Sequence, residues 1–195
     1  MYLDNNHDMT SSPLHILGFA GSLRARSFNR ALLNAAAELA PESLKITVFD
    51  LSDIPLYNGD LDTDERRPES VRRFKTAITD ANGVLIATPE YNYGVPGVLK
   101  NALDWASRPG FKSPMVYKPA AIMGASQGAS GTMRGQENLK TNLLAMLASV
   151  FPHPGVAVSQ AASKFDDALR LKDSTTRDFI HEFLSGFGGW VRRMV

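Results

Sequence analysis

Cysteine is absent from all 195 residues, which excludes a disulfide framework, a thiolate nucleophile, Cys-ligated zinc and iron–sulfur clusters. Any redox chemistry must then come from a bound organic cofactor. Long apolar runs are missing as well, since no stretch approaches the roughly 18 residues needed to cross a bilayer. The opening MYLDNNHDMTSSP is polar and acidic, without the basic and then apolar regions of a signal peptide. These absences predict a soluble cytoplasmic protein with no membrane partner. Charge of one sign is also lacking: 21 basic and 20 acidic residues, spread along the chain, create no broad field for nucleic acid. The four histidines, His7, His15, His153 and His181, show no metal-ligand spacing, so no metal site is expected.

What remains is a chain with 44% hydrophobic content, enough for one buried core. Residues 1–13 carry Asn, Asp, Ser and Pro without periodicity and read as a flexible lead-in, leaving 14–195 as the domain. Apolar runs at 14–21, 44–50, 82–89, 119–125 and 155–159 read as strands. Helical spacing covers Phe28–Ala40, Glu69–Thr79, Val95–Ala106, Gln136–Ser149 and Asp178–Arg192. Five strands alternating with five helices predict an α/β fold: an open five-stranded parallel sheet with helices on both faces. Such sheets bind ligands beyond the carboxyl ends of their strands, where strand order reverses. Three loops there have unusual composition.

The first is GSLRARSFNR, residues 21–30. Gly21 permits a tight turn, Ser22, Ser27 and Asn29 can donate hydrogen bonds, and a helix opening near Phe28 aims its free N–H groups at the loop. With Arg24 added, the donors suit a phosphate monoester. Ser27 also fits a plain helix cap, with the arginines as solvated surface. The segment is neither G-x-x-x-x-G-K-[ST] nor G-x-G-x-x-G, which argues against nucleoside triphosphates and a Rossmann dinucleotide site.

The second loop opens TPEYNYGVPGVLKNALDWAS. Pro89 and Pro96 stiffen it, Tyr91 and Tyr93 offer flat apolar faces, and Asn92 and Gly94 suit tight turns. It can pack against a planar heterocycle, or bury its tyrosines in a core or subunit contact.

On GSLRARSFNR, PEYNYGVPGVLKNALDW and GASQGASG, in that order and spacing, the chain resembles the NADPH-dependent FMN reductase family, flavodoxin-like enzymes that include quinone, chromate and azo-dye reductases. The resemblance implies a flavodoxin-like three-layer sandwich with FMN as cofactor and NADPH or NADH as co-substrate. It maps the FMN phosphate to Ser22, Arg24, Ser27 and Asn29, and the isoalloxazine ring to Pro89, Glu90, Tyr91 and Asn92. It also implies a homodimer or homotetramer with FMN near the subunit contact. No side-chain acid or base is required for hydride chemistry at a flavin, so no catalytic residue is assigned. Glu90 is read as ordering its loop.

The third loop, GASQGASGTMRGQ, contains a G-x-S-x-G match centred on Ser126. A serine hydrolase would place a nucleophile there, with a later Asp and His181 completing a triad. Against this, three glycines precede the expected helix where an elbow serine needs its helix at once, and His181 falls inside an amphipathic helix. Glycines instead let backbone approach a flat ring. The resemblance maps flavin contacts to Ser126, Gln127 and Gly128. Arg134 reads either as a contact to cofactor or nicotinamide phosphate, or as a surface arginine. A flavodoxin-like electron carrier is the other reading; the balanced charge lacks the acidic docking face such carriers use.

Overall fold

The computed structural model describes residues 12–194. The expected lead-in at 1–13 lies, except for its last two residues, outside the described residues, and so does His7.

Strands β1 (Leu14–Ala20), β2 (Leu44–Phe49), β3 (Gly83–Ala87), β4 (Pro119–Ala125), β5 (Ser149–Val150) and β6 (Val156–Val158) form one parallel sheet in the order β2-β1-β3-β4-β5. β6 also pairs with β4, further along the same strand. Alternation divides the inner strands between two cores. Leu14, Ile16, Leu85, Met123 and Ala125 face α1 (Phe28–Leu39) and α6 (Ser174–Arg192). Leu17, Phe19, Val84, Ile86 and Ile122 face α2 (Glu69–Asp80), α3 (Gly97–Ala106) and α4 (Met133–Ala145). A short helix, α5 (Ala161–Lys164), follows β6. The sheet is thus the middle layer of three, in the flavodoxin-like α/β arrangement.

The expected elements are present, with corrections at the fifth strand and at the ends of α4 and α6. The strand expected at 155–159 is β6, and a separate two-residue strand that was not expected, β5, pairs with the start of β4; Pro152 and Pro154, which cannot donate to a ladder, lie between the two. Ser149, expected at a helix end, lies in β5; α4 stops at Ala145, and Leu147 turns left-handed with φ 61°. α6 begins at Ser174 rather than Asp178, because the Asp173 carboxylate caps it by accepting from the Thr176 N–H at 2.9 Å.

Strand order places β1 and β3 side by side while their following helices leave to opposite faces. The crevice between the β1–α1 and β3–α3 loops opens there, and the end of β4 flanks it.

Candidate functional site

One cleft of about 160 Å³ takes its walls from all three loops: Ser22, Arg24, Ser27 and Asn29 from the first, Pro89, Glu90 and Tyr91 from the second, Ala125, Ser126 and Gln127 from the third. Nine of the eleven residues singled out in the sequence line it. Asn92 and Gly128 are not part of its lining. Asn92 (φ 52°) and Tyr93 (φ 64°) both turn left-handed, closing a tight hairpin in which Tyr91 and Gly94 exchange backbone hydrogen bonds. A larger, open cavity of about 460 Å³ adjoins the cleft, shares Ser22, Arg24 and Tyr91 with it, and adds Leu23, Pro96 and Val98.

At the first loop, Ser22 and Ser27 are buried while Arg24 is exposed and, among the described residues, unpaired. Ser27 is indeed the α1 cap: its Oγ accepts from the Arg30 N–H at 3.3 Å, which leaves its hydroxyl hydrogen for a ligand. The N–H groups of Phe28 and Asn29 in the first turn of α1 have no acceptor among the described residues. A buried hydroxyl pair, open helix N–H groups and an uncommitted guanidinium form a cradle for an anion carrying several oxygens. Arg26 is committed elsewhere, donating to the Asp167 carbonyl at 3.1 Å. The Asn29 carboxamide is committed too: Nδ2 donates to the Ala125 carbonyl and Oδ1 accepts from the Ala125 N–H, each at 2.9 Å.

The second loop is held by Glu90. One carboxylate oxygen accepts from the Gly135 N–H in the first turn of α4 at 3.0 Å; the other lies 3.8 Å from the Arg134 guanidinium. Arg134 in turn sits 4.5 Å above the Tyr93 ring. Glu90 therefore orders its loop, and Arg134 is tied to that loop rather than freely solvated. Tyr91 and Tyr93 are both exposed, so neither packs in this chain's core. Trp105, by contrast, is fully buried and donates to the Pro55 carbonyl at 2.8 Å.

The third loop corrects the expected use of its glycines. A Cβ on Gly124 would lie 2.0 Å from Thr132 Oγ1, one on Gly131 would lie 2.9 Å from the Ala157 backbone, and one on Gly135 would lie 3.2 Å from Glu90 Cβ. These three glycines serve close approach within the protein. Gly128 alone of the four has room for a Cβ, which would make ordinary contact with Ser126 Oγ at 3.5 Å. Its N–H donates to Ser126 Oγ at 3.0 Å.

That contact decides against a hydrolase. The Ser126 hydroxyl turns onto the Gly128 peptide, and His181 uses its Nδ1 on the Leu39 carbonyl at 2.9 Å from within α6. Residues 127–132 separate Ser126 from α4, which starts at Met133, earlier than expected and with Gly135 inside it. His15 contacts Thr47 at 2.7 Å, and the His153 ring lies against Phe151. Among the described residues no three His, Asp or Glu side chains gather to hold a metal ion.

A family model described as NADPH-dependent FMN reductase matches residues 14–163. The chain is 44% identical to an NAD(P)H-dependent FMN reductase of Pseudomonas aeruginosa over 94% of its length and 98% of the relative's. It is 41% identical to a 2-hydroxy-1,4-benzoquinone reductase of a Burkholderia species, covering 92% and 97%. Among solved structures it is similar to FerB, a flavoenzyme NAD(P)H:(acceptor) oxidoreductase of Paracoccus denitrificans, with a TM-score of 0.84, 34% identity, and coverage of 92% and 98%.

Proposed function

The chain belongs to the NADPH-dependent FMN reductase family and is an FMN-dependent NAD(P)H oxidoreductase; from that premise we propose how its own residues hold the cofactor and its substrates. The observation that carries the reading is the single cleft in which the three loops meet. Ser22, Ser27, Arg24 and the first-turn N–H groups of α1 receive the FMN phosphate. Pro89, Glu90 and Tyr91 border the ring on one side, and Ser126, Gln127 and Gly128 border its pyrimidine edge through their backbone. Bound FMN supplies the redox chemistry, taking hydride from NAD(P)H and passing electrons to an acceptor. The protein's share is placement: no side chain in the cleft is asked to move a proton.

The adjoining cavity beside Leu23, Tyr91, Pro96 and Val98 is where the nicotinamide and then the acceptor lie. Its mostly apolar walls and its openness favour small flat acceptors such as quinones, with free flavin, azo compounds and chromate as further candidates. Dependence on NAD(P)H, a coenzyme held inside cells, supports a cytoplasmic location.

We infer a homodimer or homotetramer. Phe111, Tyr117, Leu144 and Leu147 are all exposed beside a groove of about 360 Å³ between α3 and α4, and the Tyr117 N–H bonds the Leu147 carbonyl at 2.8 Å. An apolar cluster of this kind supports a contact with a second copy. Light scattering of the wild type and of Phe111→Glu tests it; a wild type that is monomeric at micromolar concentration removes the inference.

The functional test is optical. Purified protein reconstituted with FMN should show a yellow flavin spectrum that bleaches on adding NADPH and recovers on adding a quinone. A protein that neither retains FMN nor oxidises NADPH overturns the reading. A requirement for a separate reductase would mark an electron carrier instead.

A further inference from the structure

We propose that Asn29 is a positioning residue that locks the phosphate end of the cleft to its ring end, and that its side chain is not a phosphate ligand; this rests on the FMN reading above. Ala125 ends β4. Successive peptide groups of a strand point to opposite edges. The Met123 carbonyl accepts from Thr88 on the β3 side, whereas the Ser126 N–H donates to Val158 on the β6 side. Ala125, two residues after Met123, therefore turns its N–H and carbonyl towards β3, but β3 has ended at Ala87. The Asn29 carboxamide stands in that gap. Its two 2.9 Å bonds imitate the peptide group of a strand that is no longer there.

The two residues are 96 positions apart, and both are buried. Asn29 lies in the first turn of α1, two residues after the Ser27 cap; Ala125 immediately precedes Ser126, Gln127 and Gly128. One joint thus fixes the distance between the anion cradle and the loop at the ring edge. Oδ1 is spent on the Ala125 N–H and Nδ2 is held on the Ala125 carbonyl, which turns the carboxamide to β4; on this proposal the phosphate at this position takes the open backbone N–H. Asn29→Ala keeps that N–H and removes the joint.

Affinities of wild type, Ser27→Ala and Asn29→Ala for FMN and for riboflavin, which lacks the phosphate, separate the roles. Ser27→Ala should weaken FMN more than riboflavin. Asn29→Ala should weaken both by a similar factor, roughly tenfold or more, and shift the midpoint potential of bound FMN, because the donors at the ring move. Loss confined to FMN, or no loss with either flavin, overturns the proposal. Asn29→Asp covers a poorly folding alanine variant: it retains the acceptor for the Ala125 N–H and sets an oxygen against the Ala125 carbonyl. It should therefore weaken riboflavin, which carries no phosphate for the new charge to repel, whereas loss of a mere phosphate ligand would leave riboflavin binding unchanged. In the full-length chain without flavin, amide exchange at Ala125 and at residues 126–128 should accelerate in both Asn29 variants. Unchanged exchange overturns the joint, whereas a wild type that binds no flavin overturns only the cofactor reading.

Discussion

The Glu90 carboxylate closes the first turn of α4 by accepting from the Gly135 N–H at 3.0 Å, across 45 residues of sequence. Thr132, the residue before the helix, makes no side-chain cap, so this turn depends on a donor–acceptor pair between two loops. Glu90→Ala should cost about 0.5–2 kcal/mol in denaturant unfolding, the range for losing a helix cap, while Glu90→Gln keeps an acceptor oxygen and most of the stability. Gly135→Ala should also destabilise, although alanine gains up to about 1 kcal/mol in an unconstrained helix. Its Cβ would press on Glu90 and Pro89 at 3.2–3.3 Å.

Arg24 and Arg26 separate binding from surface. Arg24→Ala should weaken FMN by roughly 1.5–3 kcal/mol, about 10- to 150-fold, as for a hydrogen bond to a charged group. Arg26→Ala, which loses its bond to the Asp167 carbonyl, should leave FMN affinity within about threefold. Equal effects in fluorescence titration would remove Arg24 from the phosphate cradle.

Gly128 and Gly124 differ in what surrounds them. Gly128→Ala should change the stability of the flavin-free protein by no more than about 0.5 kcal/mol, because its Cβ makes only an ordinary contact with Ser126 Oγ at 3.5 Å, yet weaken FMN by crowding the ring edge. Gly124→Ala should fail to fold or lose several kcal/mol, since Thr132 Oγ1 and the Thr88 carbonyl at 2.4 Å occupy the place. A stable Gly124→Ala protein would contradict this packing.

Ser126→Ala should retain NADPH–quinone turnover within about tenfold, because its hydroxyl only closes a local turn with Gly128. Steady-state kinetics check this directly. Loss of several orders of magnitude would give the hydroxyl a chemical part.

Acid should unfasten α6. Donation from the Thr176 hydroxyl and N–H, with Lys164 nearby, holds the Asp173 carboxyl below its usual value. A carboxyl lowered by folding contributes stability that is complete above its unfolded pKa, near 3.9, and is lost as pH falls through that value towards the folded one. Asp166, lowered chiefly by the Arg170 N–H and then by its guanidinium, acts in the same direction. Asp173→Asn should therefore unfold less steeply between about pH 5 and 2, with little cost at neutral pH because asparagine also caps helices. Identical acid titrations of wild type and variant would count against the cap.

Much of this was legible in order along the chain. Apolar runs and helical spacing depend on near neighbours, so β1, β3, β4 and α3 lie within a few residues of their expected bounds. The signal for α6 was also present, in Asp173 three residues before Thr176. The extra strand β5 and the early start of α4 were not readable in this way, because one follows from pairing with β4 and the other from Glu90.

Residue types and their spacing along the chain are enough for the main strand–helix alternation, the absence of thiol chemistry and the three loops of unusual composition. How those residues are used depends on partners that folding brings from elsewhere in the chain. Hydrogen-bond partners and close contacts are set across 45 to 96 residues, beyond any local pattern. Thus Asn29 became a joint, Glu90 a cap and three of the loop's glycines packing positions, while Ser126 was turned onto its own loop. A residue type states what a side chain can donate, accept or leave empty; the fold supplies the partner that uses it.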